Sequence, residues 1–278
     1  MCGPERRSAA NRRRRVLRIW CLEPGFATYH CARCGVSGYV RDDYSKPHID
    51  QAAFQRELAK AKAEAAEHER AGTAERLTRA LWLWNSRKPL KGSIAETYLR
   101  EARNYLGRLP ATLGYLPPRG EHSPAMIAAF GIAYEPAPGL LEIADGQVHG
   151  VHITRLAPDG SGKAGTDRDK IMLGSSAGWP IVLAPPNDLL GLAIAEGIED
   201  ALSVHRATAL GAWAAGAASR LPALADAVPS TIEAITILMD DDEAGRRYAN
   251  ELGELLLARG MREVRVALVH SMTQKAVA

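Results

Sequence analysis

Apolar and polar positions in the last third of the chain follow the periods of buried strands and amphipathic helices in turn. Helices are predicted from about Ile198 and over Ala244–Ala258. Strands that alternate with helices predict an α/β fold, here a mainly parallel sheet flanked by helices on both faces. The predicted strands are short runs of apolar or small residues, at Gly191–Ala195, Ala212–Ala215, Ala234–Met239 and Val264–Val269.

Residues 48–80 have a different pattern. They are rich in Ala, Glu, Lys and Arg, with opposite charges at helical spacing, and so predict an exposed linker helix. The helical pattern continues through 75–106, where Trp82 and Trp84 are expected to pack rather than to form a stacking platform.

Between 107 and 187 the chain is rich in Pro and Gly, and the alternating segments Gly150–Arg155 and Lys170–Leu173 predict strands of a small α+β region. Residues 158–165 look superficially like a phosphate loop. They lack its first glycine, and Ala164 stands where Ser or Thr should follow the lysine. A hairpin turn is therefore expected there.

The four cysteines all lie within the first 34 residues, so they cannot staple the rest of the chain and favour metal binding. Val16–Trp20 and Phe26–His30 are predicted strands leading into a Cys-x-x-Cys-Gly turn at Cys31 and Cys34. A structural zinc site needs four ligands. Cys31, Cys34 and Cys2 are the predicted zinc ligands, and Cys21 fits the spacing poorly.

The charge is uneven, because residues 1–46 hold ten Arg or Lys against four Asp or Glu within a net charge of +3. The arginine run between Arg6 and Arg18 is either a set of phosphate contacts or a solvated arm. The chain has no apolar run near the ~18 residues of a membrane span and no secretory signal, so a cytoplasmic protein without a membrane partner is expected.

Two acidic clusters directly follow predicted strands: Glu196 after the first, and Asp240 to Asp242 after the third. Ligands gather at the carboxyl ends of strands in open α/β sheets. Side chains alternate along extended backbone, so Asp240 and Asp242 should point one way and Asp241 the other.

Carboxylates that gather in this way repel one another unless a cation lies between them, and hard oxygen ligands select Mg²⁺ or Mn²⁺. Gly197 and Gly245 would allow close backbone approach and help to hold a phosphate. The alternatives are ordinary helix N-capping for Asp242 and a first-turn acid for Asp200.

The motifs Glu196-Gly-x-x-Asp200 and Asp240-x-Asp-x-Ala-Gly245 together resemble the Toprim domain of bacterial-type primases, topoisomerases and some nucleases, over about 188–270. The resemblance implies that Glu196 is the catalytic acid/base or a metal ligand and that Asp240 and Asp242 hold Mg²⁺. Asp200 is a further candidate ligand.

Two upstream features favour the primase branch. Residues 29–38 look like the second half of a zinc ribbon, and Asp169-Lys170-Ile-Met-Leu-Gly174 resembles the lysine segment that precedes Toprim in primase cores. By that likeness Lys170 would contact template or nucleotide phosphates. Arg155, Lys163 and Arg168 are weaker candidates for the same contact.

The resemblance divides the chain into a partial zinc ribbon with a basic arm (1–46), a helical linker (47–106), the α+β part of a primase-like core (107–187) and a Toprim domain (188–278). It implies a phage, plasmid or integrated-element primase that joins ribonucleoside triphosphates into short primers on single-stranded DNA, with a separately encoded replicative helicase as a further partner. A Toprim nuclease and a non-catalytic nucleic-acid-binding protein are the alternatives.

Overall fold

The computed structural model describes residues 16–42, 51–138 and 140–269. The chain forms two compact units, residues 1–71 and 72–278. Cys2 and most of the arginine run lie outside the described residues. Within the described ranges, no helix is both long enough and apolar enough to cross a membrane.

The first unit contains a three-stranded antiparallel sheet in the order β1-β2-β3. Phe26 is its buried centre, with the rings of Tyr39 and Phe54 at 5.8 and 5.3 Å. Both strands predicted there form, although β1 begins one residue later and runs three residues further. The bounds are β1 Leu17–Glu23, β2 Phe26–Cys31 and β3 Ser37–Arg41.

The Cys-x-x-Cys-Gly segment closes as a turn in which the Gly35 N–H donates to the Cys31 carbonyl at 2.9 Å. Cys31 is buried, whereas Cys34 and Cys21 are exposed. Among the residues that the structure describes, no three His, Cys, Asp or Glu side chains are grouped to hold a metal. These residues alone do not make a four-ligand zinc site, so the zinc ribbon stays a prediction.

Helix α1 (Gln51–Asn85) begins in the first unit and ends in the second. Ala80 and Trp84 are buried and Trp82 is exposed, which agrees with a packing role for Trp84. The helix does not continue to 106 as expected, because Pro89 disfavours helical backbone at Lys88, which instead pairs with Tyr115 in a β-bridge.

A short helix, α2 (Ile94–Thr97), follows this break and runs directly into a π-helical turn, Tyr98–Ala102. Ser93 caps α2 by accepting a hydrogen bond from the Glu96 N–H. Tyr98 and Leu99 are fully buried, so this turn is anchored in the core of the second unit.

The second unit contains a four-stranded antiparallel sheet in the order β4-β5-β8-β9, with β6 and β7 forming a separate two-stranded sheet. Ile127 and Val151 on one face pack with the end of α1. Met126 and Phe130 on the other face pack with the C-terminal region. The bounds are β4 Leu113–Leu116, β5 Ala125–Phe130, β6 Tyr134–Ala137, β7 Leu140–Glu142, β8 Gly150–Arg155 and β9 Lys170–Gly174.

Residues 158–165 lie in the loop that joins the antiparallel strands β8 and β9. Asp159 accepts a hydrogen bond from the Ser161 N–H at 3.0 Å, and Gly160 has a φ of +77°. The prediction of a hairpin turn instead of a phosphate loop is therefore confirmed.

The C-terminal sheet has the order β10-β12-β11-β13-β14, with three parallel pairs and one antiparallel pair. The parallel part was predicted. The antiparallel edge strand β10 was not predicted, because its four apolar residues are too few to show a period and the prolines beside them, Pro180 and Pro185, favour a loop. The bounds are β10 Ile181–Ala184, β11 Gly191–Ala195, β12 Gly211–Ala214, β13 Ala234–Met239 and β14 Glu263–Leu268.

Two helices cover opposite faces of this sheet. Side chains of α3 (Ile198–Thr208), such as Leu202, share one core cluster with Ala193. Side chains of α4 (Glu243–Ala258), such as Leu252, share another with Ile194. Adjacent residues of β11 therefore face different helices, as period-two alternation requires.

Two glycines of α4 differ in whether a side chain could be accommodated at their position. A Cβ on Gly245 would lie 2.6 Å from the Asp240 carbonyl, whereas one on Gly253 would make ordinary contacts at 3.7 Å or more. We expect Gly245→Ala to lower the free energy of unfolding by about 1–3 kcal/mol. We expect Gly253→Ala to raise it by about 0.4–1 kcal/mol, since alanine favours the helix.

Urea unfolding of the two variants beside the wild type measures this difference. Equal effects from the two substitutions would contradict the packing of α4 against the end of β13.

Candidate active site

The edge of the C-terminal sheet at the carboxyl ends of its parallel strands carries the predicted acidic residues. The last neighbouring pair of β11 and β13 is Ala195 with Leu238. Glu196 follows that pair by one residue and Asp240 by two. The backbone carbonyl of Glu196 accepts a hydrogen bond from the Gly216 N–H at 2.9 Å, which joins the end of β11 to the turn after β12.

The carboxylates at this edge act on one another electrostatically. Burial raises the pKa of Glu196, and the charges of Asp240 and Asp242 raise it further, while that of Lys170 lowers it. Burial likewise raises the pKa of Asp200, with Asp240 adding to the effect. Glu196, Asp200, Asp240 and Asp242 therefore form one group of coupled negative charges.

Two of the three consecutive aspartates, Asp240 and Asp242, act on Glu196 through their charges. Asp241 is exposed and pairs with Arg246 on the surface. Asp242 is the N-cap of α4, with its Oδ1 accepting a hydrogen bond from the Gly245 N–H at 2.6 Å. The capping alternative considered for Asp242 is thus realised, and that hydrogen bond leaves its second carboxylate oxygen for another partner.

The packing around Gly197 and Gly245 explains why each of these motif positions is a glycine. Gly245 is buried against the Asp240 backbone, and its N–H is already used by the cap, so it does not present that group to a phosphate. Gly197 is also buried and is the N-cap of α3, without a side-chain cap. Its missing Cβ leaves room for the Asp200 carboxylate, which would lie 2.6 Å away.

This donor set suits a hard divalent cation, since it consists of carboxylate oxygens, and burial and the neighbouring negative charges raise the pKa values of Glu196 and Asp200. Over the described ranges, however, no three acidic or other ligating side chains converge closely enough to enclose an ion. Mg²⁺ keeps several of its waters and needs one or two carboxylates. The arrangement therefore fits a hydrated ion better than a closed protein cage.

Two of the four predicted basic residues lie near these acids. The charge of Lys170, at the start of β9, acts on Glu196 and Asp200. The Lys163 Nζ lies 3.6 Å from the Glu199 carboxylate.

The other two basic residues lie elsewhere. Thr154 is paired with Lys170 across β8 and β9, so Arg155, the next residue, points to the opposite face of that sheet. Arg168 is exposed in the loop between the two strands.

A buried network beside the acidic edge escaped the sequence analysis. The Tyr98 hydroxyl donates to Glu199 Oε1 at 2.6 Å, and the Arg103 Nε donates to the Tyr98 oxygen at 2.9 Å. Burial acts to raise the pKa of Glu199, but the Tyr98 hydrogen bond and the Lys163 charge hold it below its usual value. Tyr98 and Glu199 are 101 residues apart, and no local pattern links them.

His152 and Arg220 were also missed. Burial lowers the pKa of His152 to about 4, and the neighbouring charge of Lys170 adds to the shift. Arg220 donates to the carbonyl of Ala215 at 3.0 Å and to that of Ser176, and lies 4.7 Å from the centre of the Phe130 ring. A buried neutral histidine and a half-buried guanidinium therefore lie beneath the turn next to Glu196.

His152 makes stability depend on pH. Its pKa of about 4 in the folded protein lies below the value of about 6.5 in an unfolded chain. Between these values the unfolded chain binds the extra proton, so stability falls as the pH falls through this window. We expect the wild type to lose on the order of 2 kcal/mol more than His152→Gln between about pH 7.5 and pH 5.

Urea unfolding of both proteins at the two pH values gives this difference. The same pH dependence in both would show that His152 is not held neutral by burial.

Comparison with known proteins gives family matches for two segments. Residues 74–183 match a domain of unknown function (DUF7146), and residues 191–273 match the Toprim domain. No curated protein matches the chain.

Two solved structures are similar to this chain. One is the primase fragment of the bacteriophage T7 primase-helicase protein, at 17% identity and a TM-score of 0.40, covering 69% of this chain and 71% of that one. The other is the Aquifex aeolicus primase (zinc-binding and RNA polymerase domains), at 17% identity and a TM-score of 0.38, covering 88% and 68%.

Both acidic motifs lie inside the segment that matches the Toprim domain, and the segment that contains Lys170 lies inside the domain of unknown function. The Toprim resemblance drawn from the motifs is thereby confirmed for residues 191–273, which match the Toprim domain.

Proposed function

We propose that this protein is a primase that joins ribonucleotides into short primers on single-stranded DNA by metal-dependent nucleotidyl transfer. The observation that carries the proposal is the parallel pairing of Ala195 with Leu238, which brings Glu196 and Asp240 to one edge of the sheet, where the charge of Lys170 also acts on Glu196. Acids that bind a cation, together with a lysine for phosphates, are what transfer of a nucleotidyl group needs.

Each residue has a distinct part in the proposed reaction. Asp240 and the second oxygen of Asp242 would hold Mg²⁺ or Mn²⁺, with Asp200 as a further ligand. When bound, the ion supplies charge neutralisation at the triphosphate. Glu196, whose pKa is raised, takes the proton of the attacking 3′-hydroxyl or serves as another ligand.

The remaining steps concern phosphate. The 3′-oxygen attacks the α-phosphorus of the incoming nucleotide, and pyrophosphate leaves with the electrons of the broken P–O bond. Lys170 would balance the negative charge of phosphate oxygens, with Lys163 nearby. The half-buried Arg220, which donates to the Ala215 carbonyl directly after β12, is a further cation at the carboxyl edge of the C-terminal sheet.

Three parts of the expected machinery stay predictions. Zinc binding depends on Cys31 and Cys34 together with Cys2, which lies outside the described residues. Template binding by the arginine run also falls mainly outside them, and a replicative helicase partner rests on resemblance alone.

A matched pair of substitutions within the aspartate triplet tests the proposal. Asp240→Asn removes a charge from the coupled group, whereas Asp241→Asn removes an exposed charge that pairs with Arg246. With single-stranded DNA, Mg²⁺ and labelled ribonucleotides, we expect Asp240→Asn to lose about 100-fold or more of the synthesis. We expect Asp241→Asn to retain it.

A parallel reaction with labelled DNA and no nucleotides separates the alternatives. Shortened DNA there, with no synthesis in the main reaction, would identify a nuclease that activates water with the same acids. DNA binding without turnover in either reaction would identify a non-catalytic binding protein. Full synthesis by Asp240→Asn would rule out the proposed site.

A further inference from the structure

Glu199 lies next to the proposed catalytic residues, but it has no role in the proposed reaction. It is in the first turn of α3, three residues after Glu196 and beside Asp200. Its side chain is only 13% exposed. A carboxylate this deeply buried is costly unless it is hydrogen-bonded or paired with a cation.

Glu199 has partners of both kinds, and they come from two other elements. The Tyr98 hydroxyl, from the π-helical turn, donates to Oε1 at 2.6 Å. The Lys163 Nζ, from the loop between β8 and β9, lies 3.6 Å from the same oxygen. The carboxylate therefore joins three segments that are far apart in sequence.

The loop between β8 and β9 packs against the helical segment that carries Tyr98. A Cβ on Gly160 would lie 3.0 Å from the Ile94 carbonyl and 3.1 Å from the Thr97 side chain. The loop thus contacts α2 at Gly160 and Glu199 at Lys163. Its far end leads directly into Lys170, the first residue of β9.

Through these contacts Glu199 is connected to both parts of the proposed site, the acidic edge and the segment that contains Lys170. On one side, α3 begins directly after Glu196 and Gly197. On the other side, the loop held through Lys163 ends at Lys170. Loss of the contact would remove one link between the loop that leads to Lys170 and the helix that follows Glu196.

We propose that Tyr98 and Glu199 are positioning residues, forming a buried latch with Lys163 that fixes Lys170 relative to Glu196 and Asp200. This inference rests on the proposed function. The latch joins the segment matched as a domain of unknown function to the Toprim segment. Tyr98 and Glu199 act through other groups and need no contact with substrate.

Tyr98→Phe is the most selective test, because it removes one hydroxyl and keeps the ring packing. Tyr105→Phe is its matched control, since Tyr105 is also buried and its hydroxyl donates to the Arg108 carbonyl at 2.8 Å and not to Glu199. Tyr98→Phe removes the hydrogen bond to Glu199 and the one accepted from Arg103, whereas Tyr105→Phe removes one hydrogen bond. A merely structural role would lower the stability of the variants and leave their kcat alike at a temperature where both are folded.

We expect Tyr98→Phe to lower the kcat of primer synthesis by about tenfold at a temperature where all proteins are folded, because small displacements of reacting groups cost that much or more. Tyr105→Phe should retain the wild-type kcat. Glu199→Gln keeps an oxygen that can accept from Tyr98, so it should retain more activity than Glu199→Leu. Combining Tyr98→Phe with Glu199→Leu should cost less than the product of the two single effects.

Hydrogen–deuterium exchange provides a readout that does not depend on turnover. Tyr98→Phe should speed exchange in residues 156–170 and in the first turn of α3, and Tyr105→Phe should not. An inactive wild type with this exchange difference would overturn the proposed function and leave the latch standing as a structural contact. An active wild type with equal kcat and equal exchange in the two tyrosine variants would overturn the latch.

Discussion

The parallel pairing of β11 with β13 is the constraint on which the candidate site depends. Because the two strands run side by side in the same direction, both reach their carboxyl ends at one edge, and the acids that follow them meet there. This brings like charges together. Burial of Glu196 and the charge of Asp240 raise its pKa, while Lys170 from another sheet opposes them. A cation between the acids would relieve the same repulsion.

Much of this arrangement could be predicted from the sequence because its signals are local. The apolar runs 191–195 and 234–239 are strands with the predicted bounds, and both acidic clusters directly follow these strands. Asp242 was predicted either to cap a helix or to hold a metal ion. It caps α4 with one carboxylate oxygen, and its second oxygen is left for a metal ion.

The parts that sequence could not provide depend on contacts between distant residues. Nothing near Tyr98 indicates a carboxylate partner 101 positions away, and the histidine at 152 looks like any polar residue of an alternating strand until burial shifts its pKa. Arg155 was a weaker candidate for the same contact as Lys170, but Thr154 is the residue that pairs with Lys170, so Arg155 points to the other face of the sheet. The helix expected through 106 stops at Asn85, because Pro89 and tertiary pairing of Lys88 prevail over the helical pattern.

Direct binding of a divalent cation tests the central claim, since it requires no template, nucleotide or turnover. Calorimetric titration with Mn²⁺ should show binding to the wild type and to Asp241→Asn, and an affinity at least about tenfold weaker for Asp240→Asn, which removes one charge from the coupled group. Equal affinity in all three proteins, or no binding to the wild type, would contradict a cation site at the carboxyl ends of β11 and β13.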